Sequence, residues 1–146
     1  MIKNSGLCII VNLNPTNQNE YSIILEVFRI GLINRLIDKR EIVTWADKQI
    51  LEENEPDYRI IELSLVGNKN EKDLLEMLYS QTLENSLVSG RLIFGILYQK
   101  IIKKEIPLKQ AIQSIYWIRW NSSLSEKEIE LLYGLDDEYE LAACNL

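Results

Sequence analysis

The stretch EYSIILEVFRIGLINRLID, residues 20–38, decides the fold class. At the helical period Tyr21, Ile24, Leu25, Phe28, Leu32 and Leu36 fall on one side, and Ile23, Val27, Ile30 and Ile37 flank them. Apolar side chains therefore cover most of the circumference, which only neighbours on several faces can shield from water. Upstream, Asn14-Pro15-Thr16-Asn17 reads as a turn, and the β-branched run at residues 7–13 reads as a short strand or extended arm.

Downstream the signals stay helical. Lys39-Arg40 suits a helix carboxyl end, and Thr44-Trp45-Ala46-Asp47 resembles a weak capping box before a helix lined by Ile42, Ala46 and Ile50. Pro56 fits the first turn of a helix over about residues 57–66, stopped by Gly67-Asn68. Asn70, with Asp73 three residues on, caps a helix to about residue 84. After Ser89-Gly90 comes a helix over residues 91–104, with Leu92, Ile96 and either Leu97 or Tyr98 facing the core. Pro107 starts a helix to Trp120, with an expected core stripe of Leu108, Ala111, Ile112, Ile115 and the stem of Arg119. Ser125 and Glu128 form a capping box for a short helix closed by Gly134, and residues 136–144 form the last helix. The pattern predicts an all-α protein: one globular bundle of about seven or eight helices spanning residues 1–146 as a single domain. A faint echo, Lys39-Arg40-Glu41-Ile42 against Lys103-Lys104-Glu105-Ile106, is what duplication of a helical hairpin would leave.

Composition narrows the function. With 47% hydrophobic and 26% charged residues the chain has ordinary globular usage, so disorder is not expected. At 146 residues it can bury about two-thirds of the surface its unfolded chain exposes. The net charge is −6, and residues 121–146 hold seven acids against Lys127, whereas residues 1–120 balance fifteen acids with fifteen bases. A clustered acidic face repels nucleic acid and membrane surfaces and attracts basic proteins. The sequence contains no histidine, which removes the usual proton-transfer side chain and excludes a Ser-His-Asp triad. There is no phosphate-binding loop and no GxSxG elbow. Cys8 and Cys144 lack CxxC spacing and read as reduced, largely buried thiols. No segment approaches the roughly 20 apolar residues that span a bilayer, and residues 7–11 make too brief a signal-peptide core, so a soluble cytoplasmic protein is expected.

Adjacent acids such as Glu52/Glu53 and Asp136/Asp137 do not face each other on a helix, so no catalytic residue, metal site or cofactor is assigned. Arg91 and Glu62 read as members of partly buried ion pairs. The aromatic residues carry more information. Counted from Leu108, Trp117 falls nearly opposite the expected stripe and Trp120 on its flank, and an exposed Trp is a favoured interface anchor. Candidate partner-binding residues are therefore Trp117 and Trp120 as anchors. Glu52, Glu53, Glu55, Asp57, Asp136, Asp137 and Glu138 are the steering acids.

Gly31-Leu32-Ile33, Trp45-Ala46-Asp47, Pro56 and Ile60-Ile61-Glu62-Leu63-Ser64-Leu65 together resemble a pattern in small helical immunity proteins of bacterial contact-dependent inhibition and related polymorphic toxin systems. The resemblance covers about a quarter of the chain and implies a cytoplasmic protein that binds one cognate toxin domain, often a basic nuclease, and occludes it. In this reading the Trp-Ala-Asp and Ile-Glu-Leu-Ser-Leu segments are scaffold. The alternatives are a helical adaptor or homodimer without enzymatic activity, and an enzyme using carboxylates around a divalent metal.

Overall fold

The computed structural model describes residues 15–82, 90–133 and 135–144; the expected strand or arm, Cys8, Ser89 and Gly134 lie outside them. Among the described residues there are eight α-helices and no strand, the all-α class expected from the sequence. Two compact units divide the chain, Met1–Ser86 and Leu87–Leu146.

The first unit holds α1 (Gln18–Ile33), α2 (Lys39–Glu52), α3 (Tyr58–Ser64), a 3-10 turn (Val66–Asn68) and α4 (Glu71–Gln81). Asn17 caps α1 by accepting from the Glu20 backbone N–H at 3.0 Å. The buried residues of α1 run nearly around it, from Tyr21 through Leu32, as its all-round apolar character requires. It packs against α4, and α2 packs against α3. Between α1 and α2 the rings of Phe28 and Trp45 meet edge to face at 5.0 Å, a favoured aromatic geometry.

The second unit holds α5 (Gly90–Ile102), α6 (Leu108–Asn121), α7 (Glu126–Leu132) and α8 (Leu135–Cys144), with α6 touching each of the other three. The start of α5 is pinned to the segment before α7: the Gly90 N–H donates to the Ser123 carbonyl at 2.9 Å. A Cβ at position 90 would lie 2.2 Å from a Leu124 methyl, so a glycine is needed for this close approach.

Among the described residues each unit has a helical hairpin whose landmarks correspond at a constant offset of 69 residues: 35 matches 104, 39 matches 108 and 52 matches 121. In each, the first helix ends in a Schellman motif around a non-glycine left-handed residue, Arg35 (φ 56°) or Lys104 (φ 54°). Leu36 N–H reaches the Gly31 carbonyl at 2.8 Å, and Glu105 N–H reaches that of Lys100 at 2.9 Å. Three residues after the left-handed position comes the next N-cap, Asp38 or Pro107. Burial follows the same offset: Ile24, Val27, Phe28, Ile42, Trp45 and Gln49 are buried, as are Ile93, Ile96, Leu97, Ala111, Ser114 and Ile118. Where the first hairpin has the bulky Phe28–Trp45 pair, the second has Leu97 and Ser114, so α5 and α6 come closer than α1 and α2.

Several local expectations are corrected. The Lys39–Ile42 and Lys103–Ile106 segments are not equivalent, because the former opens α2 and the latter is the connection before α6; the structural correspondence between the hairpins lies in another register. Thr44-Trp45-Ala46-Asp47 is mid-helix, and the capping box is Asp38 with Glu41. Lys39-Arg40 therefore starts a helix and does not end one. In α6 the buried positions are Ala111, Ser114 and Ile118, with Leu108 exposed, so the stripe is rotated and Trp117 borders it. In α5 the buried set is Ile93, Ile96, Leu97 and Lys100, with Leu92 half-buried and Tyr98 exposed. Cys144 is exposed.

Candidate functional site

Of the acids proposed for steering, the structure uses two internally. Glu53 accepts the Tyr21 hydroxyl proton at 2.7 Å, and Asp57 caps α3 while pairing with Arg59 at 3.0 Å. Gln18 joins this network by accepting from Arg59 at 2.6 Å, and the Arg59 guanidinium lies 5.2 Å from the Tyr21 ring. Hydrogen bonding from Arg59 holds the Asp57 carboxyl below its usual range, while burial and Glu53 push the Tyr21 hydroxyl up. These groups tie α1 to the start of α3, a structural role. Glu52 is exposed and 3.5 Å from Lys48, and Glu55 is exposed.

The second unit gathers a different set. Tyr116, Trp120 and Tyr133 are exposed by 53%, 69% and 76%, large values for rings of this size. Between them sits Arg119, whose guanidinium carbon is 4.8 Å from the Trp120 ring centre, 5.1 Å from that of Tyr116 and 5.5 Å from that of Tyr133. Tyr116 and Trp120 share a face of α6 at i, i+4, and Tyr133 reaches them from the carboxyl end of α7. Trp117 is half-buried on the flank. Beside Tyr133, Glu126, Ile129 and Glu130 line a shallow hollow of about 520 Å³. Among the described residues neither Glu126 nor Glu130 has an ion-pair partner.

The scaffold does not require these aromatics. At the offset of 69, Tyr116, Arg119 and Trp120 correspond to Asp47, Ile50 and Leu51 on a helix of equal length and matching burial. The same face can therefore be built without a ring or a guanidinium. Comparison between the two hairpins, which composition alone does not prompt, separates this face from ordinary scaffold.

Charge also regroups at the unit boundary. Residues 1–86 hold nine bases and fourteen acids, whereas residues 87–146 hold seven and eight. The second unit is thus nearly neutral but polar along the chain, with six bases and one acid in residues 87–120 ahead of the acidic residues 121–146. One acid is neutralised locally: Glu128 accepts from Arg91 at 2.6 Å and from the Ser125 N–H at 2.8 Å, which holds its carboxyl down at about 2. That ion pair is exposed on its arginine side, not partly buried as the sequence led us to expect, and Glu62 accepts from Tyr58 and Gln81 instead of a base. Asp136 and Asp137 fall in the first turn of α8, their side chains outside the described set, and Glu138 is exposed.

Among the described residues no group of three or more acids or thiols is placed to hold a metal ion, and no helix is long and apolar enough to cross a membrane. No protein-family model, curated protein or solved structure matches the chain.

Proposed function

We propose that this chain is a non-catalytic, immunity-type protein that neutralises a basic, nuclease-type toxin domain by stoichiometric occlusion, using the outer face of α6 and α7. One observation carries the reading: Tyr116, Trp120 and Tyr133 stand exposed around one guanidinium, beside two carboxylates with no ion-pair partner among the described residues, and the first hairpin has no aromatic at the counterparts of Tyr116 and Trp120. Leaving such rings in water is unfavourable, and Trp, Tyr and Arg are the side chains that most often anchor protein partners. The neighbouring acids would steer a cationic surface, raising the association rate, while the buried rings would slow dissociation. A pair of this kind reaches nanomolar affinity, about −12 kcal/mol. The resemblance of residues 31–65 to helical immunity proteins supports the class, and on this reading the protein works in the cytoplasm with no cofactor and no nucleic-acid partner.

Co-expression with the polypeptide encoded beside this chain tests the reading. The expected result is a stable one-to-one complex and restored growth of cells producing that polypeptide. Failure of both complex and rescue counts against it.

A helical adaptor or homodimer is the second reading, favoured by the exposure of Tyr58 and Leu65 near the two ends of α3 and of Tyr79 on α4. Light scattering over a concentration series separates the two, since a stable homodimer without any toxin would favour the adaptor.

A further inference from the structure

Among the described residues three arginines lie over aromatic rings, and two of them also hold a carboxylate. Arg29 lies 5.9 Å from the Tyr79 ring and pairs with Glu26; Arg59 lies 5.2 Å from the Tyr21 ring and pairs with Asp57. Arg119 has three rings within 5.5 Å and, among the described residues, no carboxylate, carbonyl or hydroxyl accepts from its N–H groups. A cation–π contact supplies no oxygen acceptor, so it leaves the guanidinium N–H donors without a hydrogen-bond partner. A planar fork held by stacking is pre-organised to receive a carboxylate through two parallel hydrogen bonds.

Resting on the binding surface proposed above, we infer that Arg119 receives a carboxylate side chain from the protein partner, the group that Glu26 and Asp57 supply at the other two stacks. The position itself asks for no charge, since its counterpart in the first hairpin is Ile50. A phosphate could also fit the fork. Yet a polyanionic nucleic acid laid across this face would meet Glu126 and Glu130, whereas a lone Asp or Glu on an otherwise basic surface would not. The partner's footprint is therefore one acid within a cationic field. The acid fixes register, and the cations meet the acids of α7.

The test uses the whole chain and a fluorescein-labelled 15-residue peptide of alternating Lys and Leu with one central Glu, compared with its Gln and phosphoserine versions. The wild type should bind the Glu peptide about tenfold more tightly than the Gln peptide. Arg119→Leu should bind both alike, and Arg119→Lys should keep only part of the preference because it lacks the fork. Unchanged thermal melts of both variants confirm that folding is intact, as Ile50 leads us to expect. Equal affinity of the wild type for Glu and Gln peptides, with binding still lost in Trp120→Ala/Tyr133→Ala, overturns the inference and leaves the surface reading standing. Preference for phosphoserine over Glu overturns the commitment to a carboxylate. Binding that ignores Trp120 and Tyr133, or no binding at all, overturns the surface reading as well.

Discussion

Arg35 and Lys104 occupy the same structural position in two helical hairpins, one in each unit, each in the left-handed region at φ 56° and 54° and each ending a helix with the same pair of backbone hydrogen bonds. Helices commonly end on glycine at this position, because an L side chain there costs about 1–2 kcal/mol. Both side chains are exposed, so little packing is lost on removing them. Arg35→Gly and Lys104→Gly should each raise stability by about 0.5–1 kcal/mol, the strain relieved less the extra freedom of glycine in the unfolded chain. Denaturant melts of the two single variants check this.

The Glu128 carboxyl provides a pH signature for the second unit. Its folded-state value, about 2, lies below the ordinary 4.5 because Arg91 and Ser125 hydrogen-bond the charged form. A depressed carboxylate contributes stability that is present above the unfolded value and lost as pH falls from about 4.5 towards 2. Titration of Glu128 by NMR should show the low value in the wild type and a return towards 4.5 in Arg91→Ala.

Tyr21 gives the opposite signature in the first unit. Burial and the bond to Glu53 raise its hydroxyl above the ordinary 10. A raised value contributes stability that is complete below the unfolded pKa and lost as pH rises past it towards the folded one, so unfolding should ease above about pH 10. Tyr21→Phe should weaken the fold by about 1 kcal/mol at neutral pH and remove this alkaline slope. Urea melts between pH 7 and 11 would show both effects.

Charge reversal at Asp136, Asp137 and Glu138 addresses steering. Converting all three to Lys should slow association with the proposed toxin partner by about tenfold at low salt and flatten its salt dependence, with a smaller change in dissociation. Stopped-flow rates at several salt concentrations are the check; an unchanged rate removes α8 from the contact surface.

The helix content and two of the caps, Asn70 and Ser125, were legible because local hydrogen bonding and the 3.6-residue period do not depend on distant parts of the chain. Other features were hidden for physical reasons. The Asp38 cap is hidden in the sequence because Arg35 supplies a left-handed turn without a glycine to announce it, so the chain reads as one helix into Lys39-Arg40. The α6 stripe is hard to phase from sequence because the apolar Leu108 at the helix start is exposed. Ser114, a true buried position, carries no hydropathic signal, since small residues there let α5 and α6 approach. The aromatic face was half legible: Trp120 could be named, but its companions Tyr116, Arg119 and Tyr133 converge only once α7 folds back on α6.

The most direct measurement is the affinity of the proposed toxin partner, by titration calorimetry, for the wild type and for Tyr116→Ala/Trp120→Ala/Tyr133→Ala. These rings are exposed, so the variant should melt close to the wild type and yet bind about a hundredfold or more weakly. A folded variant that binds as tightly as the wild type would contradict the account.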